Sequence, residues 1–386
     1  MAALQSDGED KNGRGAGGVQ KRMREETSDL DYRERVILAP MVRVSQLPLR
    51  LYSLEAGADL VYGPEIIDHS IAGCSRRSVR RHCPESGYGI DTVEFHKPND
   101  TVHKENLVYQ TCERERGANI FQIGTNDAVR ALRGAEQVAR DVAGVDVNMG
   151  CPKHFSVHSG MGAALLKDPE RARDILATLS RNLPVPVSCK IRLLDTIEDT
   201  IQFAKLCQMA GARAITVHMR QIPDRPRQPA KWDWLAPIAQ SLSVPLIANG
   251  DVWTQEDVVR VKALTGVSSV MIARGAIENP DVFRIAAPSR CPIHVLRRLA
   301  ELSVDVGAHI GATKSLLTRL YHEAAHFRHR FPVPPTYPWP DGFQQLAARK
   351  FFDYLELSEA LSWPHLTERK RAVDLQLRTF NPQTQF

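Results

Sequence analysis

The sequence predicts an α/β fold, a (β/α)8 TIM barrel followed by a C-terminal all-helical domain. Two observations lead there. Eight short apolar runs recur, at residues 35–40, 58–67, 119–124, 144–149, 186–191, 214–218, 245–250 and 268–273. Continuous apolar runs of this length, rich in Val and Ile, suit strands covered on both faces, as in a parallel sheet. Helical pattern fills most of the gaps between them, and strands alternating with helices eight times over favour a closed barrel over an open sheet.

The chain has 386 residues, a net charge of +5 and an ordinary apolar share of 43%. That is enough for one large domain and a smaller one. Residues 1–34 are predicted to be a disordered tail, because glycines and charges outnumber apolar residues there. Asp7, Glu9 and Asp10 do not suit an acid-poor transit peptide.

The barrel is expected over 35–287. The stretch 126–142 places Val129, Leu132, Ala135, Val138 and Val142 on one helical face. Asp168-Pro169-Glu170 supplies an N-cap, a proline at the first helical position and an early acid. The helical stretch 195–211 stops at Gly211. Residues 68–118 are too long for one crossover. Within them GYGIDTVEFH and TVHKENLVYQT alternate apolar and polar, predicting an antiparallel hairpin inserted after the second strand. Residues 292–386 lose the strand pattern and read as helices, interrupted by the proline-rich segment 331–343.

Several classes fall away. No apolar run approaches the roughly 18 residues of a membrane span. Seven cysteines, none in a Cys-x-x-Cys pair, argue against a disulfide framework and a cysteine-rich zinc site. A reducing compartment, the cytoplasm with the nucleus as an alternative, is the expectation. The mild positive charge allows a nucleic-acid partner without demanding one.

In a barrel of this kind, chemistry sits at the C-terminal strand ends. Read in order, those ends carry Pro40-Met41-Val42, Gln122, Asn148 and Cys151, Lys190 and Arg192, His218 and Arg220, Asn249-Gly250-Asp251, and Ala273-Arg274-Gly275. The loops after the last two strands are the common phosphate site of these barrels. Gly250 and Gly275 permit close backbone approach to an anion, a helix expected after residue 275 directs N–H groups at it, and Arg274 adds charge. Taken singly, NG and RG are ordinary turn residues. Taken together at these ends, they favour a phosphate. Gln122, Asn148, Lys190 and His218 converge over the same mouth. This set suits a polar heterocycle above a phosphate, and flavin mononucleotide (FMN) fits it.

Cys151 has three readings. A generic cysteine is an inert buried thiol. A metal site would need His154 and His158 at helical spacing, but Gly150, Pro152 and Gly160 predict a loop and no carboxylate lies nearby, so no metal is expected. The third reading is a reagent: a residue before proline is kept extended, which projects Cys151 past its strand. An unperturbed thiol, with a pKa of about 8.5, still carries its proton at neutral pH.

The segments APMVRVSQLPLR, GADLVYGPEIID, FQIG, DVNMGCPKHFSVHSGMGAALL, SCKIRLLDT, VH-x-R, ANG and A-R together resemble the tRNA-dihydrouridine synthases. The likeness spans residues 35 to about 285 strongly and the helical region more weakly. APMVR and CPKHFS-x-HSGMG look most like the eukaryotic group that acts on uridine 20. The resemblance implies an FMN enzyme reduced by NADPH or NADH, with hydride delivered to uracil C6 and Cys151 protonating C5. It implies flavin contacts at Pro40, Met41, Val42, Gln122, Lys190, His218, Asn249, Gly250, Asp251, Ala273 and Arg274. Asn148 and Arg220 match positions beside the uracil or flavin, and Lys153 could meet a tRNA phosphate. A monomer is expected. Met219 stands where many relatives have glycine, and a C-terminal double-stranded-RNA-binding domain found in animal members is not recognisable here. Two other readings compete: an FMN barrel acting on a small molecule, which has no use for a basic docking domain, and a tRNA chaperone, which has no use for Cys151.

Overall fold

The computed structural model describes residues 30–98, 107–285, 292–326, 346 and 348–380. The tail expected over 1–34 lies almost wholly outside the described residues, as does the proline-rich segment 331–343.

Twelve strands are described: β1 (Val36–Leu38), β2 (Leu60–Tyr62), β3 (Ile66–Ile67), β4 (Ser75–Val79), β5 (Thr92–His96), β6 (Leu107–Thr111), β7 (Asn119–Gly124), β8 (Gly144–Met149), β9 (Val187–Arg192), β10 (Ile215–His218), β11 (Leu246–Asn249) and β12 (Ser269–Ile272). Eight of them form a parallel ladder in the order β1, β2, β7, β8, β9, β10, β11, β12. The ladder returns to its start through Val36↔Val270 and Leu38↔Ile272, so the sheet is a closed barrel. All eight apolar runs of the sequence contribute one barrel strand each. The second run is split: Pro64 lacks an N–H, and the pairing with β7 breaks between β2 and β3 at Gly63-Pro64-Glu65.

Alternation along the strands decides what faces where. Val145, Val147 and Met149 join the shell between barrel and helices, as do Cys189, Ile191, Ile215, Val217, Leu246 and Ala248. Ile37, Leu60, Tyr62, Ile120, Ala214, Ile247 and Met271 fill a second cluster inside the barrel. The side-chain period of two therefore turns Gln122, Asp146, Asn148, Ser188, Lys190, His218 and Asn249 inward.

The crossover helices are α1 (Leu47–Glu55), α2 (Asp68–Ile71), α3 (Ala128–Val138), α4 (His154–His158), α5 (Pro169–Asn182), α6 (Ile197–Met209), α7 (Leu235–Gln240), α8 (Gln255–Thr265) and α9 (Arg274–Glu278). Their starts follow local chemistry. The Asp168 side chain accepts from Arg171 N, Thr196 from Asp199 N, and Thr254 with Asp257 forms a capping box. The buried face of α3 differs from expectation. Ala128, Ala131, Ala135 and Val138 are buried, whereas Val129 is 58% exposed. Small residues win that face because the helix packs close: a Cβ on Gly134 would lie 3.0 Å from Ile71 Cγ2 and 3.2 Å from Ile123 Cδ1.

The insertion after β2 forms an antiparallel sheet, β4-β5-β6. Its hairpin pair was legible, although residues 99–106 lie outside the described residues. Its third strand was not, because SRRSV is polar up to its last residue, Val79, and shows no alternation. Buried Arg50 ties α1 to this region. It forks onto Glu115 at 2.8 and 2.7 Å and donates to the Ser45 and Gln110 carbonyls at 2.9 and 2.7 Å.

Four further helices are found among the described residues: α10 (Pro292–Asp305), α11 (Ile310–His326), α12 (Tyr354–Ala360) and α13 (Pro364–Phe380). Val295, Leu296, Leu299 and Trp363 belong to the same buried cluster as the barrel shell. Arg298 reaches Glu55 of α1 at 2.7 Å, and Gln110 Nε2 donates to the Val306 carbonyl at 2.7 Å. None of the described helices is long and apolar enough to cross a membrane.

Candidate active site

Cys151 sits two residues beyond β8, on a turn held from several sides. The Asn148 Oδ1 accepts from Gly150 N at 2.9 Å and Cys151 N at 3.1 Å. Arg192 Nε donates to the Gly150 carbonyl at 2.8 Å, and Ala163 N donates to the Cys151 carbonyl at 3.0 Å. Gly162 is required by both conformation and space. Its φ is +59°, and a Cβ there would lie 2.7 Å from Cys151 O and 3.0 Å from Cys151 Cβ. Cys151 is partly exposed, whereas Cys74, Cys83, Cys112, Cys189 and Cys207 are buried. The next segment corrects one expectation: 154–158 is the short helix α4, with Lys153 at its N-cap, not a loop. Its turn closes because Ser156 N and Val157 N both donate to the Lys153 carbonyl. His154 and His158 stack with ring centroids 5.6 Å apart. Among the described residues no group of three His, Cys, Asp or Glu side chains could hold a metal.

Across the mouth, Gly250 and Asp251 turn the chain with φ of +126° and +53°. A Cβ on Gly250 would lie 3.3 Å from both Ala230 Cβ and His218 Cδ2. The Asp251 carboxylate gathers the surrounding loops. Arg220 Nη2 meets both its oxygens at 2.6 Å, Arg274 Nη2 donates at 2.7 Å and Ala230 N at 2.7 Å. Arg220, reached by sequence as a substrate residue, is buried and also donates to the Gln228 carbonyl at 2.7 Å. Arg274 lies over the Trp253 ring at 4.5 Å. The helix expected after residue 275 already begins at Arg274, as α9. A cavity of about 240 Å³ is lined by Arg192, His218, Asn249, Gly250, Ala273 and Arg274, among others. Pro40 and Met41 are partly buried just beyond β1, and Val42 is 47% exposed.

The floor is a polar network. Gln122 Nε2 donates to Asp146 at 2.8 Å, and Ser188 Oγ donates to the other Asp146 oxygen at 2.7 Å. Burial pushes Asp146 up to about 6, against those hydrogen bonds and the Lys190 charge. Burial, helped by Arg192, brings Lys190 down to about 8, while Asp146 and Cys151 act to raise it. His218 is held far below the ordinary imidazole range, first by burial and then by Lys190, Arg192, Arg220 and Arg274. It is therefore neutral at physiological pH. Arg220 Nη1 donates to its Nε2 at 3.4 Å, which leaves the ring proton on Nδ1.

Two groups escaped the sequence. Asp146 is hidden in an apolar run, and only the period of two marks it as inward. Glu65 stands in the break between β2 and β3. Burial pushes it up to about 7, against a hydrogen bond from the Asn148 side chain and the nearby Lys153 charge. The sequence signal that could have found it is the proline that interrupts the second run.

Comparison with known proteins follows the same outline. The Dihydrouridine synthase (Dus) family profile matches residues 37–350. The chain is 39% identical over 298 residues to tRNA-dihydrouridine(20) synthase (NAD(P)+) of Schizosaccharomyces pombe, covering 75% of this chain and 60% of that one. It is 38% identical over 306 residues to the Saccharomyces cerevisiae protein of the same name, covering 75% and 77%. A Homo sapiens tRNA-dihydrouridine(20a/20b) synthase-like protein is 30% identical over 275 residues, covering 70% and 77%. The chain thus spans about three-fifths of the length of the S. pombe relative. With the family profile running from the first barrel strand into the C-terminal helices, the chain belongs to the dihydrouridine synthase family.

Proposed function

We propose that this chain is a tRNA-dihydrouridine synthase that reduces the C5=C6 bond of a D-loop uridine, at position 20, with FMN as cofactor and NADPH or NADH as reductant. The observation that carries this reading is the mouth itself. A partly exposed thiol, Cys151, stands on a turn braced by Asn148 and Arg192, just beyond the point where Asn148 of β8 pairs in register with Lys190 of β9. Family membership and the relatives at position 20 support the same substrate.

The residues fit the cofactor. Gly250 leaves a cradle that a Cβ would fill, and Arg274 with the neighbouring cations suits a phosphate. Asn249, Gly250, Asp251, Ala273 and Arg274 would hold the phosphate end, and Pro40, Met41, Val42, Gln122, Lys190 and His218 the ring. When bound, FMN supplies the hydride that uracil C6 accepts. Lys190 offers a cation, and His218 an Nδ1–H, where negative charge grows on the ring edge. Hydride arrival at C6 leaves an electron pair at C5, because C5=C6 is conjugated to C4=O. Cys151 gives its thiol proton to C5, and the thiolate regains a proton from solvent. One hydride and one proton complete the reduction.

The target base must leave the stack to reach this mouth. The barrel, residues 35–287, carries the chemistry. The helical region, residues 292–386, and the rim hold tRNA through phosphate and shape contacts, with Lys153 beside the thiol. A cytoplasmic or nuclear monomer completes the reading. The test is dihydrouridine formation in tRNA from a strain that lacks the modification, with NADPH and FMN-loaded protein. Cys151→Ala should keep flavin reduction by NADPH and lose dihydrouridine formation by about 100-fold or more. A normal rate for that variant would overturn the proton-donor role. A chain that FMN does not reconstitute would overturn the whole reading.

A further inference from the structure

Asp146 has no part in the chemistry above, yet it is a fully buried carboxyl within β8. It stands in a row of three. Gln122 of β7 pairs in register with Asp146, and Asp146 with Ser188 of β9. All three point into the barrel, one row beneath Asn148 and Lys190, which also pair in register. Each carboxylate oxygen takes one neighbour. Gln122 Nε2 donates to Oδ2 at 2.8 Å, and Ser188 Oγ donates to Oδ1 at 2.7 Å. Burial raises Asp146 only to about 6, so it is ionised at neutral pH. An ionised carboxylate accepts and cannot donate. Turning the Gln122 amide over would set Oε1 against it, acceptor facing acceptor. The amide is therefore fixed with Nε2 towards Asp146 and Oε1 away from it. Among the described residues no donor reaches that oxygen. Nor is it sealed in the core without a partner, as the amide oxygen of Asn119 is at the start of the same strand.

A flavin ring offers one match for such an acceptor. The oxidised isoalloxazine has a single N–H, at N3, set between two carbonyls that can only accept. A glutamine free to turn could meet either kind of group. One whose Nε2 is turned to Asp146 presents Oε1, which only the N3–H can meet. We propose that Asp146 is a positioning residue that fixes the Gln122 amide so that its Oε1 accepts from the N3–H of the flavin ring. The proposal rests on the reading of Gln122 as a flavin contact. It gives a reason for burying a carboxylate, which otherwise costs stability.

Flavin binding to the FMN-free protein, followed by fluorescence quenching, tests this without turnover. In Asp146→Leu, turning Oε1 to the ring leaves Nε2 without its acceptor, so FMN should bind about tenfold more weakly. The analogue 3-methyl-FMN lacks the N3–H. Its affinity should stay within about twofold of the parent's, so that the preference for FMN over the analogue shrinks. Asp146→Asn still offers Oδ1 to Nε2, with the Ser188 hydroxyl turning to accept, and should bind FMN to within about threefold of the parent. In nitrogen-15-labelled FMN the N3 proton should exchange slowly with water in the parent and in Asp146→Asn, and faster in Asp146→Leu. Asp146→Ala, which cannot crowd the row, serves in every measurement if Asp146→Leu does not fold. Unchanged FMN affinity, an equal loss for FMN and 3-methyl-FMN, or an N3 proton that exchanges as in the parent would each overturn the proposal. Gln122→Leu run in parallel keeps the two readings apart. Parent affinity for FMN there defeats the flavin contact itself, whereas weaker binding there with a normal Asp146→Leu defeats only the positioning role. Added to Gln122→Leu, Asp146→Leu should cost no further FMN affinity, because the group it acts through is gone.

Discussion

Lys190→Met should make the protein more stable and less active. Lys190 points inward from β9 at the barrel mouth, where burial and the Arg192 charge hold it at about 8, below its ordinary 10.5. That gap corresponds to about 3 kcal/mol of folding free energy at roughly 1.4 kcal/mol per tenfold change in proton affinity. Water at the mouth reduces it to about 1–3 kcal/mol. The sign is fixed by linkage. Below about 8 both folded and unfolded chains carry the proton, so the full penalty is present. Between about 8 and 10.5 the unfolded chain binds more protons than the folded one, and stability rises with pH; above 10.5 the penalty is gone. Methionine has nearly the shape of lysine without the charge. At pH 7 the FMN-free variant should therefore melt a few degrees higher than the parent, with the difference shrinking towards pH 10. The assay is thermal unfolding of both proteins across that range, with flavin reduction measured alongside. A variant that melts lower than the parent at pH 7 would refute the reasoning. It would mean that Asp146 stabilises the ammonium by more than burial costs it.

Two other outcomes follow from the geometry. Arg50→Leu leaves Glu115 buried and unpaired, and should lower unfolding free energy by about 3–5 kcal/mol in denaturant titration. Arg50→Leu combined with Glu115→Leu should recover much of that loss, because the uncompensated charge is gone. Arg274→Ala removes an exposed cation stacked on Trp253 and should weaken FMN binding about tenfold or more, read by fluorescence titration, with little change in melting temperature of the FMN-free protein. Unchanged affinity would move the phosphate elsewhere.

Much of the barrel was legible because its signals are local. Each apolar run became one strand, since a strand buried on both faces needs little beyond length and Val/Ile content. Helix starts at Asp168 and Thr196 were fixed by side chains capping their own next turn. The reading failed where the partner lay far away. Val129 lost its place in the core to small alanines because only the packed barrel shows how close α3 must come. SRRSV became a strand because β5 offered it an edge, a fact absent from its own composition. His154–His158 became helical because two backbone N–H groups found the Lys153 carbonyl, which glycines and a proline on either side did not forbid.

The candidate site divides in the same way. By itself the sequence determined that Gln122, Asn148, Lys190, His218 and Asn249 stand at or near the C-terminal ends of their strands, because each closes a local apolar run; the packed barrel fixed the phase that turns them inward. Only the tertiary structure decided their condition. His218 is neutral because its ring is buried and four cations crowd it, two from β9, one from its own strand-end loop and one from α9. Asp251 became the knot of the loops after β10, β11 and β12 because Arg220 and Arg274, distant in sequence, both reach it. Periodicity and capping act over a few residues and are written in the chain. Charge, burial and hydrogen-bond partnership depend on every group within several ångströms, and those groups are assembled only when the barrel closes.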